Sequence, residues 1–158
     1  MQVEYAQMAS TACWLIGKGS AEHMYKATHT HHPMVRWCAQ SQAHLAFVIE
    51  VGLELAREKV ERAVIALRHK KKWKTTHVST PVLQYIKDHM PPEDAFPLGS
   101  MWMDPPACMP EEIRNKGRNI IECYHLYYAH KVDTINLKWE PYVEEPYFIN
   151  EYRKRLRK

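Results

Sequence analysis

The sequence predicts an all-α fold, a compact bundle of four to six helices carrying a Pro/Met/Trp-rich packed loop. Three observations predict it. Apolar residues recur at steps of three and four over 3–16, 34–72 and 111–132. No stretch alternates apolar and polar side chains in strand fashion. Pro and Gly concentrate in 90–110, which fits no regular element. The 158 residues fit a single domain, 1–158, with 133–158 as an aromatic and basic tail packed on it. An apolar content of 46% beside 25% charged residues excludes a disordered chain.

The first element covers 3–16. Val3, Ala6, Ala9, Cys13 and Ile16 share one helical face, and Gly17 and Gly19 end it, because glycine takes the left-handed conformation at a helix C-terminus cheaply. Residues 18–33 form a polar connection. Pro33 biases His32 away from helix and suits the first turn of the next element. Over 34–72, Leu45, Val48, Gly52, Ala56, Val60, Ala63, Val64 and Leu67 keep one face, with Glu50, Glu54, Arg57, Glu61 and Arg68 opposite. Ser41 can cap a new helix, so the stretch divides into about 34–40 and 42–70. The second piece would run about 42 Å at 1.5 Å per residue. Thr80-Pro81 reads as a cap followed by proline at the first helical position, starting a short helix with Val82, Tyr85, Ile86 and His89.

In 90–110 the side chains Phe96, Leu98, Met101, Trp102 and Met103 call for burial, which predicts a loop lying across the core. Residues 111–132 read as one helix with Ile113, Gly117, Ile120, Ile121, Tyr124, Tyr128 and Lys131 on one face; Glu111 and Glu112 sit where the helix dipole favours acids. A short basic helix is predicted over about 147–157.

The four cysteines are widely spaced with no CxxC, so they read as small buried apolar residues of a reducing compartment. Residues 2–16 lack a basic start and an uninterrupted apolar core, so no signal peptide is expected, and the expected location is cytoplasmic. No run reaches the length of a membrane span. No phosphate-binding GxxxxGK[ST], GxGxxG, HExxH or GxSxG occurs, which disfavours classical NTPases, Rossmann enzymes, zincins and elbow-type serine hydrolases.

Four constellations can carry chemistry. The first is Thr28-His29-Thr30-His31-His32-Pro33. Imidazoles there can move protons, contact phosphate or hold a metal, though no recognised zinc spacing follows; the plainer alternative is that one histidine caps the next helix and the others are solvated. The second is Trp37 with His44, seven residues on, as pocket floor or as core anchor. The third is Arg68-His69-Lys70-Lys71-Lys72-Trp73-Lys74, where the cations suit phosphates and Trp73 suits an exposed base; the alternative is a solvated helix end. The fourth is Lys131 on the inward face of the Tyr124–Lys131 stripe. It is either an amine that holds an anion or a stem that snorkels.

The strings Glu4-Tyr5-Ala6-Gln7-Met8-Ala9-Ser10-Thr11-Ala12 and Met24-Tyr25-Lys26-Ala27-Thr28-His29, with His32-Pro33, Trp37, Ser41, Met109-Pro110, Tyr124, Tyr127-Tyr128, Lys131 and Lys138-Trp139, run colinearly through most of the chain. In these the sequence resembles a family of small proteins carried by tailed phages. Its members usually carry a further N-terminal segment, so this chain is expected to enter its first helix partway along. The run 68–74 replaces a shorter, less charged stretch. The resemblance implies DNA handling in an infected bacterial host, and the helical build is distantly similar to pyrimidine-dimer glycosylases.

The leading expectation is therefore a phage-type protein contacting nucleic acid or nucleotides, of glycosylase or nuclease type if it is an enzyme. The expected pocket joins the 28–33 loop, Trp37, His44 and Lys131. His29 and His32 would move protons, Lys131 would hold an anion, and His31, Trp37 and His44 would bind substrate. Arg68, Lys70, Lys71, Lys72, Trp73 and Lys74 would meet nucleic acid. No metal or other cofactor is expected. The alternatives are a non-enzymatic accessory protein whose aromatic loop 96–103 docks a host or phage partner, and an enzyme acting on a small metabolite.

Overall fold

A computed structural model describes residues 2–68, 76–135 and 145–156, and the fold is all-α. Among the described residues there are seven α-helices, one 3-10 turn and no strand. The helices are α1 (Gln2–Leu15), α2 (Pro33–Cys38), α3 (Gln42–Arg68), α4 (Thr80–Asp88), α5 (Glu111–Arg114), α6 (Ile120–Thr134) and α7 (Tyr147–Leu156). No helix among the described residues is long and apolar enough to cross a membrane. The chain divides into two compact units, Met1–Met103 and Asp104–Lys158.

In the first unit α1 packs on α2, α3 and α4. Its buried stripe is made of small residues, Ala6, Ala9, Ala12 and Cys13, so neighbouring helices approach closely. Gly52 serves the same approach from α3. A Cβ there would stand 2.7 Å from Leu83 Cδ1 and 3.0 Å from Tyr5 Cβ, so Leu83 and Tyr5 would have to give way to it. Leu45, Val48, Ile49, Leu83 and Ile86 fill the space between, all fully buried.

The helix ends follow local chemistry. α1 stops before Gly17, which takes φ +71°. The break between α2 and α3 falls at Ser41, whose Oγ accepts the Ala43 N–H at 3.2 Å. At α4 the expected cap is one residue off. Ser79 holds the cap position but makes no side-chain cap bond, its Oγ pairing with the Tyr25 hydroxyl at 3.1 Å, and Thr80 is already helical. Thr80 Oγ1 instead accepts from Gln2 Nε2 at 2.7 Å, tying α4 to the start of α1.

The second unit corrects the single helix expected over 111–132. Its stretch splits into α5 and α6 around Gly117. Asn119 caps α6 by accepting the Glu122 N–H at 2.9 Å, and Glu122 reaches back to accept the Arg118 N–H at 2.6 Å. This reciprocal arrangement is a capping box in all but one position. Gly117 lies so close to Cys123 that a Cβ would meet its Sγ at 2.4 Å. α6 packs on α7, with the His125 ring stacked on Phe148 at 4.3 Å and Leu126 and Ile149 buried. This one unexpected split brings the helices among the described residues to seven, against the four to six expected.

Candidate functional site

The 18–33 connection is held to α1 by polar groups on α1's own flank. Ser10 Oγ accepts the Tyr25 N–H at 3.2 Å, and Thr11 Oγ1 accepts the Thr28 N–H at 3.2 Å. Trp14 Nε1 donates to the Tyr25 carbonyl at 2.9 Å. Ser10 and Thr11 are fully buried, so these bonds form out of water and satisfy backbone groups that would otherwise be stranded.

Held this way, the chain turns sharply at 29–32. His29 adopts φ 51°, the only non-glycine left-handed residue among the described residues. Such a backbone costs an L-residue about 1–2 kcal/mol. The His29 carbonyl accepts the His32 N–H at 2.8 Å, which closes the turn. His32 then caps α2. Its Nδ1 accepts the Met34 N–H at 3.2 Å, and Pro33 occupies the first helical position. An accepting Nδ1 leaves the proton of the neutral ring on Nε2.

Between this turn and α1 lies a cavity of about 420 Å³ lined by Glu4, Gln7, Met8, Thr28, His29, His32 and Val35. Val35 is buried, Gln7, Met8 and Thr28 are half-buried, and Glu4, His29 and His32 are exposed at its rim. The cleft thus has an apolar floor and a rim rich in hydrogen-bonding groups. Two of the expected site residues, His29 and His32, meet here. His31 is exposed and outside the lining.

Trp37 and His44 do not line this cavity, and the reason is packing. The two rings stack at 4.1 Å and 11°, with Trp37 5% and His44 0% exposed. His44 Nδ1 bonds the Trp37 carbonyl at 2.8 Å, and its Nε2 accepts the Met103 N–H at 2.8 Å. Trp37 Nε1 donates to the Met103 carbonyl at 3.0 Å. Both ring nitrogens of His44 are therefore committed, and the pair holds one residue of the loop, Met103, through both its backbone N–H and its carbonyl.

That loop is anchored as the sequence predicts, but its side chains divide. Leu98 N–H donates to Gln40 O and Gln42 N–H to Gly99 O, both at 2.9 Å, and Phe96 is buried. Met101, Trp102 and Met103 are 62%, 48% and 47% exposed, contrary to the expectation of burial. The backbone bonds hold this stretch at the surface of the α2–α3 junction, where one edge of Trp102 meets Trp37 and Phe47 and the rest stays uncovered.

Lys131 belongs to the second unit and is not among the residues lining the cavity. Its Nζ sits 4.5 Å from the centre of the Tyr127 ring, a cation–π contact on its own helix. Arg68 ends α3, while Lys70, Lys71, Lys72, Trp73 and Lys74 lie outside the described residues. Cys13 and Cys38 are free thiols; burial pushes both up to about 12, so neither is a nucleophile at neutral pH. No group of three or more metal-ligating side chains occurs among the described residues.

Sequence reasoning missed the α1 wall of the cavity. The signal is present: Glu4 and Gln7 fall at i and i+3, polar positions on one flank of a helix whose buried stripe is Ala6, Ala9, Ala12 and Cys13. Comparison with protein-family models, with curated proteins and with solved structures finds no match to this chain.

Proposed function

We propose that this chain is a phage-type protein that contacts nucleic acid or nucleotides, and that it takes its ligand into the cavity between α1 and the 28–32 turn. One observation carries the reading. Five hydrogen-bonding side chains, Glu4, Gln7, Thr28, His29 and His32, surround a single cleft over the apolar Met8 and Val35. Its volume of about 420 Å³ lies in the roughly 300–1,000 Å³ range of small-ligand sites. The two strings that carry the phage resemblance, 4–12 and 24–29, supply five of its seven lining residues. The basic run 68–74 adds cations for a phosphate backbone. Such a protein would work in the cytoplasm of an infected bacterium. Where the ligand is turned over, His29 and His32 are the groups to move a proton, His32 through Nε2.

Titration with single-stranded oligonucleotides at rising salt tests the reading. Affinity should fall steeply with salt and with Lys70→Glu plus Lys72→Glu, and His29→Ala or Gln7→Ala should weaken it at fixed salt. An interaction insensitive to salt and to all four substitutions removes the proposal.

A second reading has its own observation. Phe47, Met101, Trp102 and Met103 are all more than 40% exposed, Trp102 meets Phe47 edge-on, and Phe47 lines a groove of about 440 Å³ along α3. Apolar surface of this kind suits a protein partner. It requires an association that Trp102→Ser abolishes, and a chain that stays monomeric and partner-free at high concentration counts against it.

A further inference from the structure

We infer that His44 is a proton-sensitive latch: the neutral ring holds Met103 at the α2–α3 junction, and a proton on Nε2 releases Trp102 and Met103. The latch is separate from the ligand cavity, which His44 does not line.

The bonds to the ring fix its protonation state. A carbonyl only accepts, so the Nδ1 that meets Trp37 O at 2.8 Å carries the proton. A backbone N–H only donates, so the Nε2 that meets the Met103 N–H at 2.8 Å carries none. The lone pair that would take up a second proton is therefore the one that holds Met103. Protonation of the ring and closure of the latch exclude each other, because the charged ring would set one N–H against another.

A proton breaks this contact and spares the rest. Nδ1–H still donates to the Trp37 carbonyl, and an imidazolium is attracted to the face of the Trp37 indole, stacked on it at 4.1 Å. The ring thus stays in place while Met103 keeps only the Trp37 Nε1 bond to its carbonyl, at 3.0 Å.

The rest of the loop confines the release. Up to Met101 it is held by bonds that involve no imidazole: Leu98 N–H to Gln40 O, Gln42 N–H to Gly99 O and Met101 N–H to Leu98 O. Among the described residues, the backbone of Trp102 and Met103 is hydrogen-bonded only to Trp37 and His44. Opening lifts the edge of Trp102 off Trp37 and Phe47 and uncovers Trp37, which is 5% exposed when the latch is closed.

The surroundings leave the response to His44 itself. The rings that meet it are Trp37 of α2 and Trp102 of the loop, and among the described residues no acid or base bonds to it. In the core of this unit, α1 and α2 contribute the thiols Cys13 and Cys38, both kept protonated by burial, and α4 contributes Leu83 and Ile86. The acids of the loop are Glu93, whose Oε1 accepts the Ser100 N–H at 3.2 Å, and the exposed Asp104. Carboxylates ordinarily titrate about 2 pH units below imidazole, which separates the two responses.

Hydrogen exchange at the Met103 amide, corrected for its intrinsic pH dependence, tests this on the full chain at pH 7.5 and 5.5. The closed latch takes no proton and the open one does, so falling pH favours opening. With an open ring titrating at about 6.5, the open population gains about tenfold over this span. Met103 protection should fall about tenfold while the Leu83 and Ile86 amides keep theirs, and quenching of Trp102 should rise in step. Protection should be the same at both pH values in His44→Gln, whose amide oxygen accepts without titrating, and in His44→Phe. Ring nitrogen shifts should show the proton on Nδ1 at pH 7.5. Equal Met103 protection at the two pH values in the parent, a pH response that survives in His44→Gln, or a ring protonated on Nε2 at pH 7.5 overturns the inference.

Discussion

Replacing His44 with phenylalanine keeps a ring against Trp37 and removes both hydrogen bonds that the imidazole makes. The Trp37 carbonyl retains the Gln40 N–H as a donor at 3.2 Å, so its loss is partial. The Met103 N–H loses the acceptor that meets it at 2.8 Å. With net values of about 1 kcal/mol per bond, the substitution should destabilise by about 2 kcal/mol. For a chain of this size that corresponds to roughly 4–8 °C in the thermal midpoint. His44→Ala removes the stacked ring as well and should cost about 4 kcal/mol, because a fully buried site cannot collapse completely. Urea unfolding followed by tryptophan fluorescence separates the two, since Trp37 and Trp102 both report on this clamp. In His44→Phe, Trp102 should also become more accessible to a quencher before global unfolding begins. A His44→Phe protein as stable as the parent, with Trp102 equally protected, would refute the assignment of His44 as the group that fastens Met103.

Three further outcomes follow from the same geometry. His29→Gly relieves a left-handed φ and should raise stability by about 1 kcal/mol while lowering affinity for oligonucleotides, read by urea unfolding and titration on one sample. Asn119→Ala removes the acceptor for the Glu122 N–H and should cost about 1 kcal/mol, with faster hydrogen exchange confined to the first turn of α6. Cys13 and Cys38, held up to about 12 by burial against an ordinary 9.0, should resist thiol reagents at pH 8 in the native protein. Their folded-state values lie above the unfolded one, so their contribution is complete below pH 9 and is lost as pH rises towards 12. The fall is about 1.4 kcal/mol per pH unit for each thiol, and Cys13→Ala or Cys38→Ala should flatten it.

What the sequence discloses and what it withholds divide along physical lines. Where a local residue decides the backbone, the reading is direct. Gly17 ends α1, Ser41 separates α2 from α3, and Pro33 fixes the start of α2 with His32 before it. The break at 115–119 was also local, carried by Asn119 and Glu122, but the apolar spacing from Ile113 to Tyr124 runs through it and hides it. Solvent exposure in the 96–103 loop was not local at all. Whether Trp102 is covered depends on the bonds from Gln40 and Gln42 that hold the loop at the surface. The candidate site shows the same split. The histidine turn is legible because its residues are contiguous. Its opposite wall is not, because nothing in Glu4 or Gln7 alone says which loop will fold back onto α1. Trp37 and His44 meet for a related, non-local reason: they sit on α2 and α3, either side of the break at Ser41, and their stacked rings fall in the core, the second of the two places that the sequence left open.

Amide chemical-shift mapping during titration with a mixed-sequence single-stranded oligonucleotide examines the site most directly. The largest changes should fall together in 4–8 and 28–35, with His32 Nε2–H protected from exchange and the Trp102 indole unmoved. Shifts that bypass both segments and gather around Phe47 and Trp102 would mean that the molecule meets its partner through the aromatic surface and that the histidine turn is only a helix cap.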